Sequence, residues 1–221
     1  MTSLPWSAQL INLGAAVLLL SSFAMLSQRR ILSLVNLYRL QGVVLTVSTV
    51  AVAHTSGQGH LYVSAALSLV LKAIMLPWIL GYLIRRLNVK WDVETLINIP
   101  TTMLFGLLLV ILAFNLAQPV SALAGTITKG TLGIALAIVL LSFLMMITRS
   151  KAVPQVIGFL AMENSLFFAA TAATYGMPMV VELGIALDVL VGVIILGVFF
   201  FQIRERFDSL DIRHLEKLKE E

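Results

Sequence analysis

Long apolar stretches separated by short polar turns set the layout of this chain. Seven such runs stand out, at residues 5–26, 31–53, 61–84, 99–116, 127–148, 153–174 and 178–203. A helix crosses the roughly 30 Å hydrocarbon core of a bilayer with about 20 apolar residues. Each run is therefore read as a membrane-spanning helix, because the backbone of a span must satisfy its own hydrogen bonds in lipid. The β-branched stretch 43–52 does not alter this, since tertiary context outweighs propensity. The expected fold is all-α: a polytopic membrane protein of seven helices.

Composition agrees. Hydrophobic residues make up 59% of the 221 positions and charged residues 12%, with a mean hydropathy of +0.99. A soluble domain is about 45–50% apolar and about 25% charged. The chain has no cysteine, which excludes disulfides, thiolate metal sites and cysteine-held iron–sulfur clusters. His54, His60 and His214 all lie outside the long apolar runs. No cofactor and no metal are expected, so any electrons travel in other proteins. The first run is not a signal peptide: no Lys or Arg precedes it, and it is too long for an h-region.

Lys and Arg in the short loops orient the spans. Arg29, Arg30, Arg85, Arg86, Lys90, Arg149, Lys151 and the basic residues of the tail fall on one side, and Lys129 alone on the other. The expected topology has the N-terminus outside and the C-terminus in the cytoplasm. Basic inner loops also explain the isoelectric point of about 9.6, so no nucleic acid is invoked. Residues 88–98, with Trp91, read as an interfacial turn, and the tail 204–221 as a cytoplasmic helix.

Four ionisable residues fall well inside the runs: Arg39, Lys72, Glu163 and Asp188. A charge at mid-membrane costs about 2.5–3.5 kcal/mol on insertion scales. Lys72, Glu163 and Asp188 lie near the centres of their runs, where they read as stations of a proton or ion relay. Buried ion pairing between helices is the structural alternative. Arg39, two turns from a span end and able to snorkel, is a secondary relay candidate, as are Glu182 and Gln41. Gly184 and Gly192 flank Asp188 by one turn on each side and suit close helix packing.

The first three and last three runs share a layout. Each set has a basic turn after its first helix, then a polar residue (Gln41, Glu163), then a mid-depth charge in its third helix (Lys72, Asp188). This reads as a tandem parallel repeat, although two apolar three-helix sets also match by chance. The expected organisation is an N-terminal three-helix unit at 1–86, a linker loop and fourth helix at 87–125, a C-terminal three-helix unit at 126–203, and the tail.

The C-terminal unit resembles the three-helix membrane subunit of respiratory complex I called chain 4L or subunit K. The resemblance rests on the basic turn Arg149 to Lys151, the stretch Ile157-Gly158 to Glu163-Asn164, the stretch Ile185 to Gly192 around Asp188, and the ending Gln202 to Arg206 followed by Ser209 to Ile212. Two departures stand out. The family's first glutamate falls on Leu160, one turn before Glu163, and its second falls on the shorter Asp188.

With seven helices, the whole chain resembles the membrane E component of hydrogenase-4 type complexes. That resemblance implies a non-catalytic subunit in a prokaryotic inner membrane, beside antiporter-like subunits and indirectly a nickel–iron hydrogenase arm. It also implies proton or sodium movement coupled to redox chemistry elsewhere. Two other readings stay open: a scaffold joining antiporter-like subunits to the redox arm, and an independent small transporter.

Overall fold

The computed structural model describes residues 6–57, 59–86, 95–123 and 130–174, together with 190, 193, 194 and 197. The described chain is helical, without β-strands beyond an isolated bridge from Thr95 to Arg149. Helix α1 spans Trp6–Ser27 and α2 spans Ile31–Ser56. A third span follows in three parts: α3 (His60–Ser68), a π-helical stretch (Leu69–Met75) and α4 (Leu76–Arg86). Next come α5 (Ile99–Leu123), α6 (Thr131–Thr148) and α7 (Ala152–Thr174).

Six helices among the described residues are long and apolar enough to cross a membrane, against the seven expected. The seventh run, 178–203, lies outside the described residues except for four positions, as do residues 87–94 and the tail. The other runs fall where the apolar pattern put them. Residues 99–116 extend as helix to Leu123, through Pro119.

Local chemistry explains several boundaries. Helix α2 stops at Gly57, which takes the left-handed conformation (φ 66°) while its N–H bonds to the Ala53 carbonyl. Glycine meets no Cβ clash there and caps the helix. In the third span, Pro77 has no N–H to offer the carbonyl one turn earlier and crowds it. The widened π-helical stretch ends just before it, with the Leu76 N–H bonded to the Leu71 carbonyl. Such widened turns occur where the regular ladder is interrupted, frequently at functional sites.

Helices α1, α2, α6 and α7 pack on one another as the centre of the molecule. The third span flanks α2, and α5 flanks α6. Helix α5 is the most peripheral, with Leu104, Leu107, Leu108, Ile111 and Leu112 exposed as they would be to lipid. At one end of the bundle the turn after α1, the segment before α5 and the turn after α6 meet. There the Arg149 guanidinium donates to the carbonyls of Met25 (3.2 Å) and Leu26 (2.6 Å), and the Leu96 N–H donates to Thr148 (2.9 Å).

The apolar interior is divided in two. One cluster, toward that basic end, holds Met25, Leu34, Tyr38, Leu76, Met145 and Leu160. The other holds Leu18, Leu45, Leu61, Ile138 and Phe167. Between the two, on every central helix and on the third span, the chain places buried polar residues: Ser21, Ser22, Gln41, Lys72, Ser142, Glu163 and Asn164. Gln41 lies ten residues beyond Ile31, about 15 Å along the helix axis. That is half of a hydrocarbon core of about 30 Å, so the polar layer sits at mid-membrane depth.

Candidate functional site: a polar layer around Lys72 and Glu163

Lys72 occupies the middle of the π-helical stretch and is 2% exposed; Glu163, on α7, is 7% exposed. The Lys72 ammonium donates to Glu163 Oε1 as a buried ion pair. Its Nζ also stands 4.8 Å from the centre of the Phe167 ring. Phe167 is one turn beyond Glu163 on α7, so ring and carboxylate share a helix face and meet the same cation. Desolvating two charges is costly and is offset only when their mutual geometry is good.

The backbone of α2 comes unusually close to this segment. A Cβ on Gly42 would lie 2.9 Å from the Lys72 carbonyl carbon and 3.0 Å from the Ala73 nitrogen. Only glycine leaves room for that approach. The π-helical stretch is thus seated on α2 while its lysine reaches α7.

The rest of the layer is unevenly satisfied. Gln41 Nε2 donates to Ser21 Oγ (3.1 Å) and Ser22 Oγ (3.0 Å) on α1, and both serine hydroxyls donate to the Leu18 carbonyl. Among the described residues, Gln41 Oε1, Tyr38 Oη, Glu163 Oε2, Ser142 Oγ and both amide atoms of Asn164 are buried without a hydrogen-bond partner. The Tyr38 phenol is near enough to Glu163 to feel its charge. Unpaired polar groups at this depth are ordinarily matched by protein or ordered water.

Of the residues singled out in the sequence, the structure brings Lys72 and Glu163 into contact and puts Gln41 in the same layer. Arg39 stands apart: it is exposed and lines a groove between α2 and α4 with Arg85. Asp188, Glu182, Gly184 and Gly192 lie outside the described residues. Tyr38, Gly42, Asn164 and Phe167 join the site without having been singled out for it. Gly42 beside Gln41, and Pro77 five positions after Lys72, were the available signals.

Arg149 also differs from its sequence reading as a loop cation. It is 1% exposed, and it caps the carboxyl end of α1, where the helix dipole and open carbonyls favour a cation. Burial lowers its pKa to about 10, so it keeps its charge at neutral pH. Gln155 Nε2 donates to the Arg149 carbonyl (2.9 Å), fixing the turn between α6 and α7.

No family model matches the chain, and no solved structure matches it. Among curated proteins it is 31% identical over 212 residues to an uncharacterised protein of Mycobacterium tuberculosis, covering 96% of each chain. It is 24% identical over 212 residues to hydrogenase-4 component E of Escherichia coli, covering 96% of this chain and 98% of that one; the Shigella flexneri protein of the same name matches equally. The chain belongs to the family of the mycobacterial protein and is homologous to hydrogenase-4 component E.

Proposed function

We propose that this chain is a multi-pass inner-membrane subunit of a hydrogenase-type complex, and that its mid-depth polar layer carries protons or sodium ions coupled to redox chemistry in other subunits. The observation that carries the reading is the buried Lys72–Glu163 pair on a π-helical stretch, within a layer that splits the apolar core. The name of the enterobacterial relatives supports the assembly. Antiporter-like subunits and a nickel–iron hydrogenase arm are the partners this reading requires, with the basic loops facing the cytoplasm.

The chemistry follows from charge in a low dielectric. Each member of the pair stabilises the other while they touch. A change in a partner subunit that moves the π-helical stretch along α2 draws Lys72 away from Glu163. Two isolated charges in the apolar core are costly, so the carboxylate takes up a proton and the ammonium releases one. Restoring contact reverses both steps. Asp188, one span further on, is proposed as the next station. The unpaired oxygens of Glu163 and Tyr38 offer positions for water between them.

The test uses the assembled complex in inverted membrane vesicles, with ion uptake measured per hydrogen turned over. Glu163→Gln and Asp188→Asn are expected to keep hydrogen turnover and lower the ion count per turnover. Wild-type coupling in both variants would overturn the relay. Loss of the assembled complex on native gels, with normal coupling in whatever assembles, would assign the pair to scaffolding.

A further inference from the structure

Outside the polar layer, a second set of charged groups faces outward. A groove of about 250 Å³ runs between α2 and α4 at the basic-loop end, lined by Asn36, Arg39, Trp78, Tyr82 and Arg85. Arg85 is one residue from the end of α4. Arg39 is eight residues into α2, about 12 Å below that end. Both guanidiniums are exposed, and neither has an ion-pair partner among the described residues. The single acidic side chain described, Glu163, belongs to Lys72.

An exposed arginine at that depth in the span calls for an anion that can itself enter the membrane. The wall of the groove fits such a ligand. Trp78 and Tyr82 lie one turn apart with ring centres 6.1 Å apart and planes 19° from parallel, giving a flat aromatic surface. Tyr82, one turn from the end of α4, lies toward headgroup depth, and Trp78 lies one turn deeper, beside the acyl region. Asn36, one turn before Arg39, adds an amide donor on the same face of α2. Pro77 continues the groove as an apolar floor.

We propose that this groove binds the headgroup of an anionic phospholipid. Its phosphate diester sits between Arg39 and Arg85, its glycerol hydroxyls meet Asn36, and an acyl chain lies along Trp78. The recognised chemistry is a phosphate oxyanion on bidentate guanidinium donors. Basic pockets between spans near the cytoplasmic face are the general setting for such lipids. This inference is independent of the relay.

The test reads Trp78 alone, in the full-length chain with Trp6→Phe and Trp91→Phe, reconstituted in phosphatidylcholine vesicles. Phosphatidylglycerol or phosphatidylcholine with brominated chains is titrated in as quencher. The expected result is preferential quenching by phosphatidylglycerol of about thirtyfold, two basic contacts acting together. The preference disappears in Arg39→Gln/Arg85→Gln and persists in Arg29→Gln, which removes a charge at the same end but outside the groove. Should the double variant fail to insert, Arg85→Gln alone at the helix terminus must lower the preference. Equal quenching by both lipids would assign the arginines to an acidic partner helix, and an unchanged preference without them would assign it to the general surface charge. Loss of the preference when inorganic phosphate is added would assign the groove to a soluble phosphate compound. Each of these three results overturns the proposal.

Discussion

Gln41 and Glu163 stand at the same depth on two packed central helices, α2 and α7, yet they are held in opposite ways. Gln41 is neutral, and its amide is shared between two hydroxyls that are themselves anchored to the backbone of α1. Nothing in that network changes charge, and both helices are regular. Glu163 meets a lysine carried on a stretch that has left the α-helical repeat; one oxygen of each side chain, Gln41 and Glu163 alike, has no partner among the described residues. One half of the polar layer therefore fastens helices together. The other half holds a charge pair on a π-helical backbone segment. In the proposed relay, mid-membrane polarity alone does not mark function; polarity whose partner can be withdrawn does.

Breaking the charge pair from one side should have the largest effect. Lys72→Met or Glu163→Leu leaves the other charge buried and alone, at a cost of about 3–5 kcal/mol. Detergent unfolding titrations should show both single variants strongly destabilised and the double variant Lys72→Met/Glu163→Leu close to wild type. The double variant would still fail to translocate ions, which separates stability from function.

Gly42→Ala should come next, at about 1–3 kcal/mol, because its methyl group would meet the Lys72 and Ala73 backbone, which cannot rotate away. The same titration reads it, and ion uptake per turnover should fall with it, since the π-helical stretch loses its seat. Phe167→Leu should cost about 1–2 kcal/mol by removing the ring beneath the Lys72 ammonium. Gln41→Leu should be the mildest, about 1.2 kcal/mol, since its amide makes two hydrogen bonds between spans, each worth about 0.6 kcal/mol. Ser21 and Ser22 keep their bonds to Leu18, so ion uptake per turnover should stay at the wild-type level. Lost coupling in Gln41→Leu would erase the contrast between the two halves.

The apolar runs made six of the helices legible, because span length is set by bilayer thickness rather than by neighbours. Lys72 and Glu163 were legible as mid-depth charges for the same reason. Their contact was not. Helices that are apolar all round carry no polar face to declare their rotation, so which side of α7 meets the third span is decided by packing. The π-helical stretch was hidden too: one extra residue in a turn leaves no trace in a uniformly apolar pattern, and only Pro77 hinted at it. Tyr38 is an ordinary polar residue until helix rotation places it near Glu163, and Asn164 until packing buries its amide. Arg149 sits in a turn by sequence, and its burial depends on the carbonyls of Met25 and Leu26, more than a hundred positions away. The expected seventh span and Asp188 fall outside the described residues, so the suggested three-helix repeat is a proposal that rests on the sequence layout.

The claim at the centre of this account is that Glu163 gains and loses a proton as the complex turns over. Infrared difference spectra of the assembled complex, taken between reduced and oxidised states, read that event directly. A carboxylic-acid C=O band is expected to appear in one redox state and to be absent from the Glu163→Gln complex. A spectrum in which that band is missing from the wild-type complex, or persists unchanged in the variant, would contradict that claim.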